Sequence, residues 1–282
     1  DFVAFAKTFG WVQDKQTQEY GPFTPNPFQL EVRAEIESQH AQGKRALIVV
    51  LKSRQLGITT YTLQEYLHRA LLNPGRHSLL VVQDQDTQGI IHDDKLRNQF
   101  DHLPPGLVGA STESNRKRLV LANGSRFIVQ VAVGAQSRIA NIRRERSALQ
   151  RKGRGGTFQY VHGSELAFWV DAANTMLAIN QMNHDVAGNI RIYESTANGK
   201  GGAFHDLWYA AVAGKNGYAP LFFSWKDDPL AVSLVPAGFE RTAEEQELAG
   251  AHSLSDAQLQ WRRNKISNDC NGDERMFRQE YP

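Results

Sequence analysis

Ala46-Leu47-Ile48-Val49-Val50-Leu51-Lys52-Ser53-Arg54-Gln55-Leu56-Gly57-Ile58-Thr59-Thr60 is the stretch on which the fold turns. Its first six residues are a continuous apolar run, the signature of a strand covered on both faces as in a parallel sheet. A turn containing Gly57 follows, then a helical pattern from Thr59 to about Leu72, closed by Asn73-Pro74-Gly75. Strand, tight turn and helix together present backbone N–H groups and a helix dipole to phosphates. The usual phosphate-loop pattern G-x-x-x-x-G-K-[ST] is broken twice: Lys52 stands at the first glycine and Ile58 at the lysine. Taken as a bare pattern, the stretch therefore also fits an ordinary strand-to-helix turn.

On either side the alternation repeats. Phe28, Val32 and Ile36 at helical spacing predict a helix over Phe28–His40, stopped by Gly43. Downstream, Ser78–Val82 reads as a strand and Asp86–Phe100 as a helix. Arg118–Leu121 and Arg126–Val133 read as strands about an Asn123-Gly124 hairpin turn. Thr157–Val161 and Asn189–Tyr193 are further short strands, with a helix over roughly Asp171–Asn180 between them. Such alternation implies an open, mostly parallel α/β sheet flanked by helices, which binds ligands at the carboxyl ends of its strands. Gly21-Pro22 and Pro25-Asn26-Pro27 punctuate an N-terminal arm over 1–27, before a core over 28–221. Asp227-Asp228-Pro229 and Pro236 introduce a small appended subdomain or linker over 222–282, with surface helices at Ala243–Ala249 and Ser255–Lys265.

Composition narrows the class without fixing it. With 41% hydrophobic and 22% charged residues, the chain is neither disordered nor fibrous. The single cysteine, Cys270, excludes a disulfide framework and a cysteine-rich zinc site, and reads as an unreactive thiol. No apolar run approaches the roughly 20 residues that cross a bilayer, so no membrane association is expected. The chain starts at Asp1 with no basic-then-apolar leader, and reads as a fragment or an incompletely ordered protein rather than a secreted one. A formal charge of +2 is too small to argue for nucleic acid, yet Glu113–Gly156 holds eleven Lys/Arg against two acids. That segment fits a phosphate-contacting surface or, equally, a solvated basic loop.

Taken together, the loops after three of the strands resemble the large terminase subunit of viral DNA-packaging motors. Lys-Ser-Arg-Gln-Leu-Gly-Ile-Thr-Thr is similar to that family's variant Walker A loop, in which an early lysine replaces the one beside the Ser/Thr. The resemblance implies a P-loop NTPase of the RecA-like kind, binding ATP and Mg²⁺. It gives Lys52 to the β/γ-phosphates, Arg54 to loop or phosphate support and Thr59 to Mg²⁺. Ser53, Gln55, Gly57 and Thr60 complete the nucleotide loop. His162-Gly163-Ser164-Glu165-Leu166-Ala167-Phe168-Trp169 resembles the Walker B segment. Glu165 stands at the water-polarising glutamate, and Ser164 where a Mg²⁺-directing aspartate is more common, which adds no charge. Glu194-Ser195-Thr196-Ala197-Asn198-Gly199 looks like the coupling motif, with Ser195, Thr196 and Asn198 as its small polar side chains. Gln29 matches an adenine-reading glutamine, and Arg154 an arginine that reaches a neighbouring subunit's ATP.

If the resemblance holds, the chain is an ATPase motor domain driving double-stranded DNA into a procapsid, without the nuclease domain that follows Phe277–Pro282 in the family. It implies a homo-oligomeric ring, portal protein and small terminase subunit as partners, and the host cytoplasm as location. DNA would be held through its backbone without regard to sequence, by Arg138, Arg143, Arg144, Arg146, Arg151 and Lys152. Two rival readings remain: a two-lobed helicase-like translocase, poorly served by the 57 residues after Trp225, and a non-catalytic DNA-binding or assembly protein with a decayed loop.

Overall fold

Strand β3 (Ala46–Lys52) realises the apolar run, and helix α3 (Ile58–Leu72) follows it directly. The computed structural model describes residues 1–14, 17–108, 113–115, 118–132 and 157–282. Arg138, Arg143, Arg144, Arg146, Arg151, Lys152 and Arg154 lie outside the described residues.

An eight-stranded, mostly parallel sheet forms the centre, in the order β10-β3-β9-β8-β4-β7-β6-β5. Its further members are β4 (His77–Val82), β5 (Glu113–Asn115), β6 (Arg118–Val120), β7 (Arg126–Val131), β8 (Tyr160–Ser164), β9 (Ile190–Ser195) and β10 (Ala219–Phe223). Strands β9, β8, β4 and β7 run parallel in succession, while β5, β6 and β7 form an antiparallel meander. Every residue of β4, β8 and β9 is buried. Helices cover both faces of a parallel sheet, so even the polar residues of these strands are withdrawn from water.

Two strands lie further along than the sequence predicts. The second-last expected strand, Thr157–Val161, is found as Tyr160–Ser164, and Asn189–Tyr193 as Ile190–Ser195. His162, Gly163, Glu194 and Ser195 have the polarity or smallness of turn residues, yet His162, Glu194 and Ser195 are fully buried. Polar residues inside a buried strand imitate its end, and here they mark the site instead. The expected helix over 86–100 is one helical run whose middle, Ile90–Arg97, is π-helical.

Residues before α2 (Pro27–Ala41) contain helix α1 (Phe2–Phe9) and a two-stranded hairpin of β1 (Trp11–Gln13) and β2 (Tyr20–Pro22). The Asp1 carboxylate caps α1 by accepting from the Val3 and Ala4 amides. Phe2 is fully buried, edge-on to Tyr61 of α3 and under the Arg33 guanidinium. Punctuation by Gly and Pro concealed this helix, as it did β10 and the helices Ala203–Val212 and Glu274–Glu280.

By their contacts the residues group into two compact units. The first comprises Asp1–Val50, Gly57–Ser195 and Gly201–Leu221; the second comprises Leu51–Leu56, Thr196–Lys200 and Phe222–Pro282. The second has its own core of Trp225, Leu254, Leu259, Cys270, Phe277 and Tyr281, with Trp225 and Trp261 stacked at 5.5 Å. Cys270 is buried there, and burial pushes its thiol pKa up. Among the described residues no helix is long and apolar enough to cross a membrane.

Candidate functional site

Gly57 adopts a left-handed conformation (φ 73°) and opens α3 from an N-cap position that offers no side-chain hydrogen bond. The backbone there is held from below: the Gln29 amide nitrogen donates to the Gly57 carbonyl at 3.0 Å. A Cβ at Gly57 would lie 2.8 Å from that nitrogen, so both the turn and the close approach call for glycine. Gln29 is itself buried, and its side-chain oxygen accepts from the Asn26 amide as half of a capping box. Ile58, standing where a phosphate-loop lysine would be, is buried in the core, so this position belongs to packing. Thr59 and Thr60 fall in the first turn of α3, where exposed N–H groups and the dipole favour anions.

Thr59 is tied to the ends of β8 and β9. Its hydroxyl donates to Glu194 Oε1 at 3.0 Å, and Ser164 Oγ donates to the same oxygen at 2.7 Å. The two hydroxyl oxygens are 3.3 Å apart. Ser164 and Glu194 are register partners across the β8/β9 ladder, and Glu194 has no exposed surface. His162 Nε2, equally buried, lies 3.6 Å from Glu194 Oε1. Glu165 follows as a half-buried residue in the left-handed region (φ 53°), a conformation uncommon outside glycine. Ser195 Oγ reaches its Oε2 at 3.4 Å and accepts from the Ala167 amide at 3.2 Å. The structure thus brings Thr59, Ser164, Glu165 and Ser195 together with Glu194, to which the sequence reading assigns no role. The signal that could have found Glu194 is ordinal: it closes its strand as Ser164 closes the neighbouring one.

Other predicted residues belong to the second unit. Lys52 and Ser53 are buried, the Ser53 amide donates to the Phe223 carbonyl at 2.8 Å, and Ser53 Oγ is a buried hydroxyl without a hydrogen-bond partner among the described residues. Arg54 Nη1 pairs with Glu280 at 2.9 Å, and its backbone amide donates to the Glu280 carbonyl at 2.8 Å. Gln55 is exposed at φ 65°. Thr196 is buried and Asn198 exposed, while between them the Ala197 amide donates to the Gln279 carbonyl at 3.2 Å.

No protein-family model matches the chain, and no curated protein matches its sequence. Solved structures match over nearly its whole length. The large terminase of bacteriophage HK97 aligns with 99% of the chain at a TM-score of 0.63 and 15% identity. A mutant ATPase domain of the Thermus phage P74-26 large terminase aligns with 92%, at 0.57 and 15%. The fold is that of a large terminase ATPase domain. A large terminase from a thermophilic bacteriophage in complex with ADP aligns with 73% of the chain at 0.52 and 13%. The chain spans 53% of the HK97 protein but 93% of the P74-26 ATPase domain. The terminase ATPase fold is thus the α/β sheet with P-loop-like topology that the strand–helix alternation implies, reached at an identity where sequence comparison alone finds nothing.

Proposed function

We propose that the chain is an ATP-hydrolysing motor domain of a phage DNA-packaging enzyme, coupling ATP turnover to sequence-independent movement of double-stranded DNA into a procapsid. The observation that carries this reading is the oxygen cluster of Thr59, Ser164 and Glu194, beside a helix N-terminus opened by a glycine, in a fold shared with large terminase ATPase domains. A first turn after a left-handed glycine suits a phosphate group. The donor set suits Mg²⁺, since it consists of hydroxyl and carboxylate oxygens. When bound, Mg²⁺ would neutralise charge developing on the transferring phosphoryl oxygens.

In this reading Lys52, with Ser53, Arg54, Gln55, Gly57 and Thr60, holds the phosphates, and Gln29 supports the loop on which the nucleotide sits. Glu165 orients the attacking water and accepts its proton. Ser195, Thr196 and Asn198 relay the state of the site, and Arg154 acts on a neighbouring subunit's ATP in an assembled ring. Arg138, Arg143, Arg144, Arg146, Arg151 and Lys152 contact DNA phosphates. Portal protein and small terminase subunit are the partners, met in the host cytoplasm on a procapsid.

DNA-stimulated ATP hydrolysis tests the proposal. Lys52→Ala should abolish turnover with the fold intact; turnover within about threefold of wild type, under about 0.7 kcal/mol in barrier, overturns the lysine assignment. The uncharged Ser164 and the apolar Ile58 favour a second reading, a non-catalytic DNA-binding or assembly protein with a decayed loop. That reading expects no DNA-stimulated turnover from the wild-type chain.

A further inference from the structure

We infer that Glu194 supplies, from β9, the metal-anchoring carboxylate that β8 lacks at Ser164, and so acts as a positioning residue for Mg²⁺ through Thr59. This rests on the ATP-hydrolysing reading above and deepens it.

The argument begins with register. Ser164 and Glu194 are paired across adjacent parallel strands, at the carboxyl end of each. Neighbouring strands are about 4.8 Å apart, so a carboxylate moved one strand sideways needs a longer side chain to serve the same point. Glutamate is one methylene longer than aspartate, and Glu194 Oε1 reaches both Ser164 Oγ (2.7 Å) and Thr59 Oγ1 (3.0 Å). A threonine hydroxyl has one proton. Once that proton is donated to Glu194, the oxygen can offer only lone pairs, which is what a hard cation takes. Ser164 thereby changes role: it supports the displaced carboxylate as a hydrogen-bond donor.

Burial points the same way. Glu194 has no exposed surface, and an ionised carboxylate withdrawn from water is costly unless offset. The Thr59 and Ser164 hydroxyls bond to it, and the His162 ring is 3.6 Å away. A cation held at Thr59 would lie beside this carboxylate and add to what stabilises its charge there. A purely structural role, tying α3 to β8 and β9, would need only an acceptor oxygen. Glutamine would serve that role equally well.

That difference defines the experiment. Binding of a fluorescent ADP analogue to the full chain is measured in EDTA and in excess Mg²⁺, with Mn²⁺ retention in the presence of ADP read by paramagnetic resonance. Glu194→Gln should bind as wild type in EDTA but lose about tenfold or more of the affinity gained from Mg²⁺, the usual scale for a group that orients a metal ligand. Ser164→Asp combined with Glu194→Gln returns the charge to β8 and should recover most of the loss. Retention of the Mg²⁺ gain by Glu194→Gln, within about twofold, overturns the inference. If Glu194→Gln folds poorly, the double variant decides: folded with the Mg²⁺ gain supports the displaced charge, and folded without it overturns it. A wild-type chain that binds no nucleotide in either condition would instead remove the ATP-hydrolysing reading itself, and this inference with it.

Discussion

Gly163 has no room for a side chain: a Cβ there would lie 2.5 Å from Tyr193 Cδ1 and 2.8 Å from Trp169 Cη2. Both rings are buried, and the Trp169 indole nitrogen donates to the Ser164 carbonyl at 2.8 Å, so this packing fixes the strand end that carries the site. Gly163→Ala should therefore cost about 1–3 kcal/mol, the range for overpacking, measurable as a shift of the urea midpoint. Its neighbour Glu165 makes a chemical prediction. Glu165→Gln should keep nucleotide binding and lose hydrolysis, with Ser164→Ala milder than Glu165→Gln; an equal loss of binding in Glu165→Gln would point to a structural role. The sequence makes Thr59 and Glu165 legible because each stands at a motif position. Glu194 escapes for a physical reason: its meaning lies in reach across a ladder, and a one-dimensional pattern does not contain the register that puts it opposite Ser164.

Helix α2 shows the same limit at the next scale. Its span and buried face were readable from Phe28, Val32 and Ile36, but the use of Gln29 was not. One side chain completes the N-terminal capping box and also braces the turn that opens α3, 28 residues later. Gln29→Ala should destabilise the protein by about 1–2 kcal/mol through the lost cap and the undonated carbonyl. It should also speed amide exchange over 57–60; unchanged exchange there would confine Gln29 to capping α2. Helix α1 adds a pH dependence. His68 of α3 lies against the Phe5 ring at 4.8 Å and the Phe2 ring at 5.6 Å, and burial, reinforced by the Arg33 charge, holds its pKa down to about 4. Because the folded chain keeps this imidazole neutral while the unfolded chain protonates it near 6.5, its contribution is present in full above that value. The contribution fades as pH falls from 6.5 to 4 and is gone below. Thermal melting of wild type and His68→Gln across this window should differ in slope, with the wild type losing more stability; parallel curves would show that His68 does not titrate on unfolding.

At the scale of the molecule, the second unit collects pieces that no local pattern announces. Leu51–Leu56 and Thr196–Lys200 group with Phe222–Pro282, and the backbone amides of Arg54 and Ala197 donate to the Glu280 and Gln279 carbonyls at the end of the last helix. Two loops that follow different strands are thereby held by one short helical segment. That segment owes its place to Phe277 and Tyr281, which pack with Trp225 and Trp261 in the unit's core. The Arg54–Glu280 ion pair adds little, since the Arg54 side chain is 57% exposed and such pairs are worth under about 1 kcal/mol. Glu280→Ala should accordingly leave the unfolding midpoint almost unmoved. Phe277→Ala removes a buried ring and should weaken this unit by about 3–5 kcal/mol. Opening can be local, confined to one cooperative group of elements. Amide exchange at Arg54 and Ala197 should then accelerate together in Phe277→Ala, while Leu80 of β4 and Val161 of β8 stay protected. Such shared anchorage would let a change in one loop be felt at the other through the helix that holds both. Acceleration at only one of the two amides, or equal acceleration at Leu80 and Val161, would show that the last helix does not hold the loops as a group.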